Sequence, residues 1–291
     1  MFVKGHCSPR KDHLQGSCLS KKTLLLIAKV LNNELNTTIK LKKTTKKKLF
    51  NEIKQILSNT DCDTELCWTS LDLIMDNLSE KEKKEMKESF RPLKPESWDK
   101  NPNTWLNTTD INNVMEQYEI KYPHFKYYGA TPIDFHLKDE GNGCLVSSLC
   151  NININQLKKN KKKSIGLVFN TDKHNEPGQH WFSMFIDLVG KNRSNPSIYY
   201  FDSADSIHDI KDLPIQILDL IEKVQKQVNY QFDVLYNDIE HQKGDTECGI
   251  YCLHFLTEML KGVNFRNYVK NQLSDKEMES FRNVFFIHSK K

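Results

Sequence analysis

Residues 232–261 read FDVLYNDIEHQKGDTECGIYCLHFLTEMLK and hold the most informative pattern in the chain. The first five residues of this stretch are mostly apolar and predict a strand, which a polar loop follows. Cys248 and Gly249 then open an amphipathic helix. A thiol at a helix N-terminus faces unpaired backbone N–H groups and the positive end of the helix dipole, which favours the thiolate. Cys248 is therefore a candidate nucleophile, and Gly249 is expected to leave room for a substrate carbonyl. The simpler alternative is a structural cysteine, because cysteine is among the most buried residue types.

Polar residues elsewhere in the chain can complete a hydrolytic site around this thiol. His180 begins an apolar strand after a polar loop, TDKHNEPGQ, which puts it at a strand edge. Asp202 ends the next strand, where its carboxylate could orient His180 through Nδ1. Gln242 precedes Cys248 by six residues and can offer its amide N–H to an oxyanion. The sequence therefore predicts a Cys–His–Asp arrangement with an oxyanion donor.

Several neighbouring residues have simpler interpretations. Asp187 and Asp205 are alternatives to Asp202 as the carboxylate that orients the histidine. His241 lies beside the site in sequence without a predicted role, and His254 reads as a histidine on a helix face. Cys252, one helical turn after the candidate nucleophile, is expected in the core.

The apolar patterns predict an α+β catalytic body. Continuous and alternating apolar runs predict strands, and helical periodicity brackets them. The order is helix, three strands, helix, strand and helix. The predicted strands cover residues 164–170, 180–188, 197–201 and 232–236, and the predicted helices before the final one cover 109–118 and 214–227.

The first third of the chain has only helical patterns. A proline-containing connection, residues 91–103, separates it from the strands. We therefore expect a helical N-terminal domain at residues 1–92 and a catalytic domain at residues 93–291. The predicted N-terminal helices cover residues 20–36, 45–58, 65–76 and 79–90.

The charge of the chain is unevenly distributed. Residues 1–60 carry a net charge of +10, whereas the whole chain carries +4. This basic segment can bind nucleic acid or an acidic partner weakly; the simpler interpretation is a solvated lysine-rich surface. The longest apolar run there, TLLLIA, is far shorter than the ~20 residues of a membrane span. We therefore expect an intracellular protein with no membrane span.

The eight cysteines are expected to be reduced thiols, because the cytosol keeps thiols unpaired. A zinc site using Cys7, His13 and Cys18 is the alternative, although the spacing differs from that of zinc modules. No P-loop, GxGxxG or HExxH motif occurs, so the sequence predicts no cofactor and no catalytic metal.

Several motifs together resemble a known protease family. The HW pair before an apolar strand, the YFDS stretch and the Q-x5-C-G spacing are similar to the SUMO-specific and adenovirus-type proteases. The Trp105-Leu106-Asn107 stretch resembles the WLND motif of that family, with Thr108 in place of its Asp. CLSKK at residues 18–22, the IKY of residues 120–122, TECG before the helix and FRNVFF near the C-terminus resemble the polyprotein proteases of the African swine fever virus type.

This resemblance implies a fold and roles for the candidate residues. The fold would be papain-like, a mixed β-sheet flanked by helices. Cys248 would be the nucleophile, His180 the general base and then acid, and Asp202 its orienter. Gln242 and the Cys248 backbone N–H would form the oxyanion hole.

The resemblance also implies a substrate. Trp181 and Trp105 would enclose a Gly-Gly backbone before the cleaved bond; their alternative interpretation is as core aromatic residues. We expect an endopeptidase that cleaves a viral structural polyprotein in the host cytoplasm or within the virion. The alternatives are a protease that removes SUMO or another ubiquitin-like modifier, and a non-catalytic nucleic-acid-binding or adaptor protein built on a protease fold.

Overall fold

Three apolar runs form the centre of a mixed β-sheet in the computed structural model, which describes residues 6–9, 16–58, 60, 62–138 and 143–287. The order of strands in this sheet is β1-β2-β3-β4-β5. Its three central strands are antiparallel, while each outer strand runs parallel to its neighbour. The strands are β1 (Phe125–Pro132), β2 (Ser164–Asn170), β3 (Trp181–Asp187), β4 (Ser197–Phe201) and β5 (Asp233–Tyr236).

Helices flank this sheet and also make up the N-terminal region. The predicted α+β class, with a mixed sheet, flanking helices and a helical N-terminal region, is confirmed. The helices are α1 (Lys21–Glu34), α2 (Lys46–Leu57), α3 (Glu65–Trp68), α4 (Asp72–Met75), α5 (Glu80–Lys87), α6 (Thr108–Lys121), α7 (Ser147–Cys150), α8 (Ile154–Lys159), α9 (Ile215–Gln225), α10 (Cys248–Lys261), α11 (Phe265–Lys270), α12 (Asp275–Ser280) and α13 (Arg282–Phe285). None of the helices in the described ranges is long and apolar enough to cross a membrane.

The core of the sheet explains why its strands are nearly continuous in apolar residues. Every residue of β3 and of β4 is buried, because helices cover both faces of the sheet. Helix α10 packs on β3 and is buried almost all round, with partial exposure only at Glu258 and Lys261. The strand and the helix that lead into the candidate site are therefore rigid, well-packed elements.

Strand β1 was not predicted from the sequence. Its register with β2 shifts between Tyr127 and Ala130. Gly129 lies in this irregularity with φ +91°, a conformation that favours glycine. The bulge breaks the regular alternation of apolar and polar residues, and that alternation is the signal by which a strand is predicted.

In the N-terminal region, α1 and α2 begin at side-chain caps. The hydroxyl of Ser20 accepts a hydrogen bond from the backbone N–H of Thr23, and that of Thr45 accepts one from Lys48. Both helices bury one apolar face in a shared core, as their periodicity predicts.

The prediction of one helix over residues 65–76 is wrong. Two short helices, α3 and α4, occupy that range. Between them, the hydroxyls of Thr69 and Ser70 donate to the carbonyls of Leu66 and Cys67 at 2.7 and 2.8 Å. Such local bonds compete with helix continuation.

The chain divides into two compact units. The first comprises Met1–Lys94 with Asn283–Lys291, and the second comprises Pro95–Arg282. Within the first unit, Ile287 packs in the helical core, and its backbone carbonyl accepts from Lys94 at 2.9 Å. The proline-containing connection includes a short element, since Glu96–Asp99 is a 3₁₀ helix that buries Trp98.

The expectation that all eight cysteines are unpaired is wrong for six of them. Disulfides join Cys7 to Cys18, Cys62 to Cys67, and Cys144 to Cys150. Each pair is close in sequence, and the fold brings the Cα atoms of each pair within 5.1 to 6.4 Å. The expectation rested only on the reducing conditions of the cytosol, which give no information about which cysteines the fold brings close together. Cys248 and Cys252 are free.

Candidate active site

Cys248 is the first residue of α10 and is 1% exposed. The expectation that Gly249 leaves room for substrate is wrong. A Cβ on Gly249 would lie 3.0 Å from the Cβ of Leu106, so the missing side chain makes room for Leu106 instead. The glycine therefore allows the segment before α6 to pack directly against α10.

His180 lies immediately before β3, and its ring contacts the carboxylate at the end of β4. Its Nε2 lies 2.6 Å from Oδ1 of Asp202. The prediction that Nδ1 makes this contact is wrong. The thiol of Cys248 also acts on this imidazole and raises its pKa. The structure therefore brings together the thiol, the imidazole and the carboxylate that the sequence singled out.

The electrostatics of this group favour a protonated imidazole. Burial alone lowers the pKa of His180, but the hydrogen bonds to Asp202 and Cys248 outweigh it and raise the pKa from 6.5 to about 10. An imidazolium between a carboxylate and a sulfur is the charge distribution of a thiolate–imidazolium pair.

The turn that carries Asp202 is fixed by Asn237, which sequence reasoning missed. Asn237 is fully buried at the end of β5. Its Oδ1 accepts from the Asp202 backbone N–H at 2.9 Å, and its Nδ2 donates to the Asp202 carbonyl at 2.7 Å. The backbone N–H of Ala204 donates to Asp202 Oδ1 at 3.0 Å. A polar residue directly after a strand, next to the strand carrying the aspartate, was the available signal.

Gln242 is 3% exposed, and both ends of its amide are held. The hydroxyl of Ser203 donates to its Oε1 at 2.8 Å, and its Nε2 donates to the Gly244 carbonyl at 2.8 Å. Its backbone N–H donates to the Ser203 carbonyl at 2.7 Å. Because Nε2 carries two protons, the second can donate to another acceptor. Ser203, the residue after Asp202, thus connects the loop before Cys248 to the β4 end, a link that sequence reasoning missed.

The two candidate substrate tryptophans differ in environment. Trp181 is 7% exposed, and its Nε1 donates to the Leu106 carbonyl at 2.8 Å. Trp105 is 40% exposed. Asn107 follows as the N-cap of α6, accepting from the Asp110 backbone N–H. Trp181 therefore fixes the segment from which Trp105 projects.

The alternative carboxylates lie elsewhere. Asp187 is at the opposite end of β3, where its carboxylate accepts from the backbone N–H groups of Val189, Gly190 and Asn192. Asp205 is exposed and accepts from the Ser206 backbone N–H at 2.7 Å.

The remaining candidates are buried. Burial lowers the pKa of His241 and of His254 to about 4 each, so both are neutral at physiological pH. His254 Nδ1 lies 3.0 Å from the Tyr268 hydroxyl. Burial raises the pKa of Cys252 well above its ordinary value, which keeps it a thiol.

A search of the described residues finds no group of three or more histidine, cysteine, aspartate or glutamate side chains suited to a metal ion. Within the alternative zinc set, Cys7 and Cys18 are bonded to each other, and His13 lies outside the described residues.

Comparison with known proteins places this fold in a family. Residues 151–290 match the model of the Ulp1 protease family, C-terminal catalytic domain. A candidate thiol protease of Acanthamoeba polyphaga mimivirus is 30% identical over 296 residues, covering 96% of this chain and 92% of that protein. The chain belongs to the Ulp1 protease family, and it is a cysteine protease.

Proteins of African swine fever virus extend the comparison. A cysteine protease of that virus is 26% identical over 257 residues, covering 82% of this chain and 89% of the relative. A relative named as a SUMO-1 cysteine protease is 26% identical over 269 residues with the same coverage. The crystal structure of the viral protease superposes with a TM-score of 0.64 at 22% identity, covering 99% of this chain and 98% of that one. The resemblance stated from the motifs is confirmed.

Proposed function

We propose that this protein hydrolyses peptide bonds with a Cys248–His180–Asp202 triad. The observation that carries the proposal is the 2.6 Å contact between His180 Nε2 and Asp202, on an imidazole whose pKa the Cys248 thiol also raises. The other two residues raise the pKa of the histidine, which favours transfer of the thiol proton to it. Asp202 holds the ring in one orientation and stabilises its charged form.

The chemical steps follow from these positions. The thiolate attacks the substrate carbonyl carbon, and the carbonyl oxygen becomes an oxyanion. The free Nε2 proton of Gln242 and the backbone N–H of Cys248 stabilise that oxygen. The imidazolium donates its proton to the leaving amine, which departs and leaves a thioester on Cys248. His180 then takes a proton from water, whose oxygen hydrolyses the thioester and restores the thiol.

We propose that the residues before the cleaved bond are Gly-Gly. Trp105 is the exposed aromatic residue beside the nucleophile helix, and Trp181 anchors its segment through Leu106. Indole rings packed against a peptide backbone leave no space for a Cβ. Peptides ending in Gly-Gly should therefore be cleaved many-fold faster than matched peptides ending in Gly-Ala or Ala-Gly. Equal values of kcat/KM for all three would contradict the role of the tryptophans.

The physiological substrate we propose is a viral structural polyprotein, with cleavage in the host cytoplasm or in the virion. The likeness to viral proteases supports this choice. The second candidate is removal of SUMO or another ubiquitin-like modifier, which the likeness to a SUMO-1 cysteine protease of African swine fever virus favours. The two share a site and differ in whether a folded modifier is recognised.

A diglycine vinyl sulfone probe tests the chemistry, and matched substrates test the choice between candidates. Mass mapping should find the probe on Cys248, and an unmodified Cys248 would contradict the nucleophile assignment. Diglycine peptides and a SUMO fusion should then be compared at equal concentration. Cleavage of the peptides without the fusion favours the polyprotein, while strong preference for the fusion favours the modifier.

We also propose that the lysines of residues 1–60 help to dock an acidic partner or nucleic acid. Lys40, Lys42, Lys43, Lys47 and Lys48 are all exposed. Attraction through such charges is screened over ~8 Å at physiological ionic strength. Binding through them should weaken steeply as salt is added.

A further inference from the structure

A buried ion pair stands directly beside the nucleophile. Arg282 and Glu247 each have 5% side-chain exposure, and Nη2 of the arginine lies 2.8 Å from Oε1 of the carboxylate. Nε of the arginine also contacts both carboxylate oxygens, at 3.2 and 3.0 Å. Glu247 is the residue before Cys248 and the N-cap position of α10. A buried arginine–carboxylate ion pair with several hydrogen bonds therefore holds the start of the nucleophile helix.

The same guanidinium also reaches the segment that carries the exposed tryptophan. Its Nη1 donates to the Thr104 carbonyl at 2.9 Å, and its Nη2 donates to the Thr246 carbonyl at 3.2 Å. The guanidinium carbon lies 4.5 Å from the ring centre of Trp98, a distance typical of cation–π contact. We call Arg282, Glu247, Thr246, Thr104 and Trp98 the Arg282 cluster.

We propose that Arg282 is a positioning residue that connects the start of the nucleophile helix to the segment carrying Trp105. That segment has two anchors: Arg282 holds the carbonyl before Trp105, and Trp181 Nε1 holds the carbonyl after it. Arginine suits this position because one planar group can bond a carboxylate in a fork and donate to separate carbonyls.

The cluster also has an electrostatic consequence. Cys248 is faced by His180, which carries positive charge, and by the anionic Asp202 and the neutral thiol of Cys252. Glu247 adds a buried carboxylate next to it in the chain. Without a cation beside it, that carboxylate would disfavour a thiolate at the neighbouring residue. Arg282 neutralises the carboxylate and so leaves the pairing of thiol and imidazole undisturbed.

This inference rests on the proposed role of Cys248, and it is tested by separating the two effects of Arg282. The Arg282→Met variant removes the charge and every donor. The Arg282→Met/Glu247→Gln double variant also removes the donors, and in addition it removes the carboxylate that the single variant leaves unpaired. The control is Arg266→Met, since Arg266 is half exposed and pairs with exposed Asp238. The measurements are the pH midpoint of Cys248 alkylation by iodoacetamide, and kcat and KM on a diglycine peptide.

In Arg282→Met, the alkylation midpoint should move to higher pH. KM should rise and kcat/KM should fall about 10²-fold, as expected for small misplacement of reacting groups. In the double variant, the midpoint should return to that of the unaltered chain, while KM stays raised because Thr104 still lacks its donor. The Arg266→Met control should change neither quantity. If Arg282→Met does not fold, the double variant decides, because no unpaired buried charge remains in it.

Two results would overturn the proposal. If Arg282→Met folds and keeps the same alkylation midpoint, kcat and KM, then Arg282 neither neutralises Glu247 for Cys248 nor positions the Trp105 segment. A double variant with fully restored KM would show that Arg282 acts on charge alone and does not position the Trp105 segment. Iodoacetamide needs no peptide recognition, so failure of the diglycine probe on the unaltered chain would count against the proposed function and leave the alkylation comparison intact.

Discussion

The two compact units of this protein use apolar residues differently. In the first, α1 and α2 bury one face each and present lysines to solvent on the other. In the second, β3 and β4 are buried along their whole length, and α10 is buried almost all round. An element buried on all sides cannot shift without loss of packing. The second unit thus offers fixed positions for reacting groups, and the first offers charged surface.

All candidate reacting residues follow this division. Cys248, His180, Asp202 and Gln242 lie in the second unit: the first three at the ends of its buried elements, and Gln242 in the loop before α10. The +10 charge of residues 1–60 lies in the first. Changes in the second unit should therefore alter chemistry on every substrate, and surface changes in the first should alter only cleavage of large substrates.

The largest expected effect comes from Cys248→Ala. This change removes one sulfur from the first residue of α10 and should abolish cleavage, because no other free thiol lies at a helix start among the described residues. The melting temperature should stay near that of the unaltered protein. Turnover is measured with a diglycine peptide. Cys252→Ala is the matched control: it removes a buried thiol one turn further on and should keep most activity.

Gln242→Ala should give the next largest effect, a loss of roughly 10²–10³ in kcat with a small change in KM, the usual result of removing one oxyanion donor. Steady-state kinetics on the same peptide measure it. Ser203→Ala keeps the amide and removes the hydroxyl that holds its oxygen, so its kcat should fall less. A change in KM alone would mean that Gln242 binds substrate.

The protonation of His180 gives a spectroscopic test. Its pKa should be close to 10 in the unaltered protein. Both Asp202→Asn and Cys248→Ala should lower it, with the larger drop for Asp202→Asn, because the bond to Asp202 contributes more. An NMR titration of the imidazole carbon-bound protons measures these values. A pKa near 6.5 in all three proteins would contradict the ion pair.

The same shift predicts a pH dependence of stability. The folded pKa lies above the ordinary value of 6.5. The stabilising contribution is therefore fully present below about pH 6.5 and lost as the pH rises through about 10. The difference in unfolding free energy between the unaltered protein and His180→Gln should shrink over that range. Urea unfolding at several pH values measures it.

The smallest expected effect belongs to the surface of the first unit. Changing Lys40, Lys42 and Lys43 together to Gln should leave diglycine peptide cleavage unchanged and slow cleavage of a large acidic substrate a few-fold at low salt. Single exposed charges contribute little each, and salt screens them. Substitution is preferable to deletion of the N-terminal region, because Ile287 packs in that core and would lose its cover.

A matched triple change of Lys81, Lys84 and Lys87 to Gln is the control, since these lysines are exposed in α5 of the same unit. If both triple variants slow the large substrate equally, net charge matters and the position of the lysines does not. If neither does, the first unit has no docking role through these residues.

Much of the fold could be predicted from the chain because its signals are local. The buried runs of β2, β3 and β4, the caps of α1 and α2, and the proline before α9 each depend on residues a few positions apart. Strand β1 was not predicted because its bulge interrupts the alternation of apolar and polar residues. The break between α3 and α4 was not predicted because two hydroxyls bond back to backbone carbonyls there.

In the candidate site, too, some features could be predicted from the sequence and others could not. The residue types and their order in sequence were enough to select Cys248, His180, Asp202 and Gln242, since thiolate chemistry needs a base, an orienting carboxylate and an oxyanion donor. The choice of Nε2 over Nδ1 depended on the approach of β4 to the end of β3, which no local pattern encodes.

The sequence alone was enough to predict the class of the fold, the family and the candidate reacting residues. The residues that support them became visible only once the chain was folded: Asn237 bonds the Asp202 backbone, Ser203 bonds Gln242, Leu106 packs against Gly249, and Arg282 pairs with Glu247. These contacts join residues at least 35 positions apart in the chain, and Arg282 also donates to the Thr104 carbonyl, 178 positions away. A side chain's partner at that separation is set by how whole elements pack, and local sequence patterns carry no record of it.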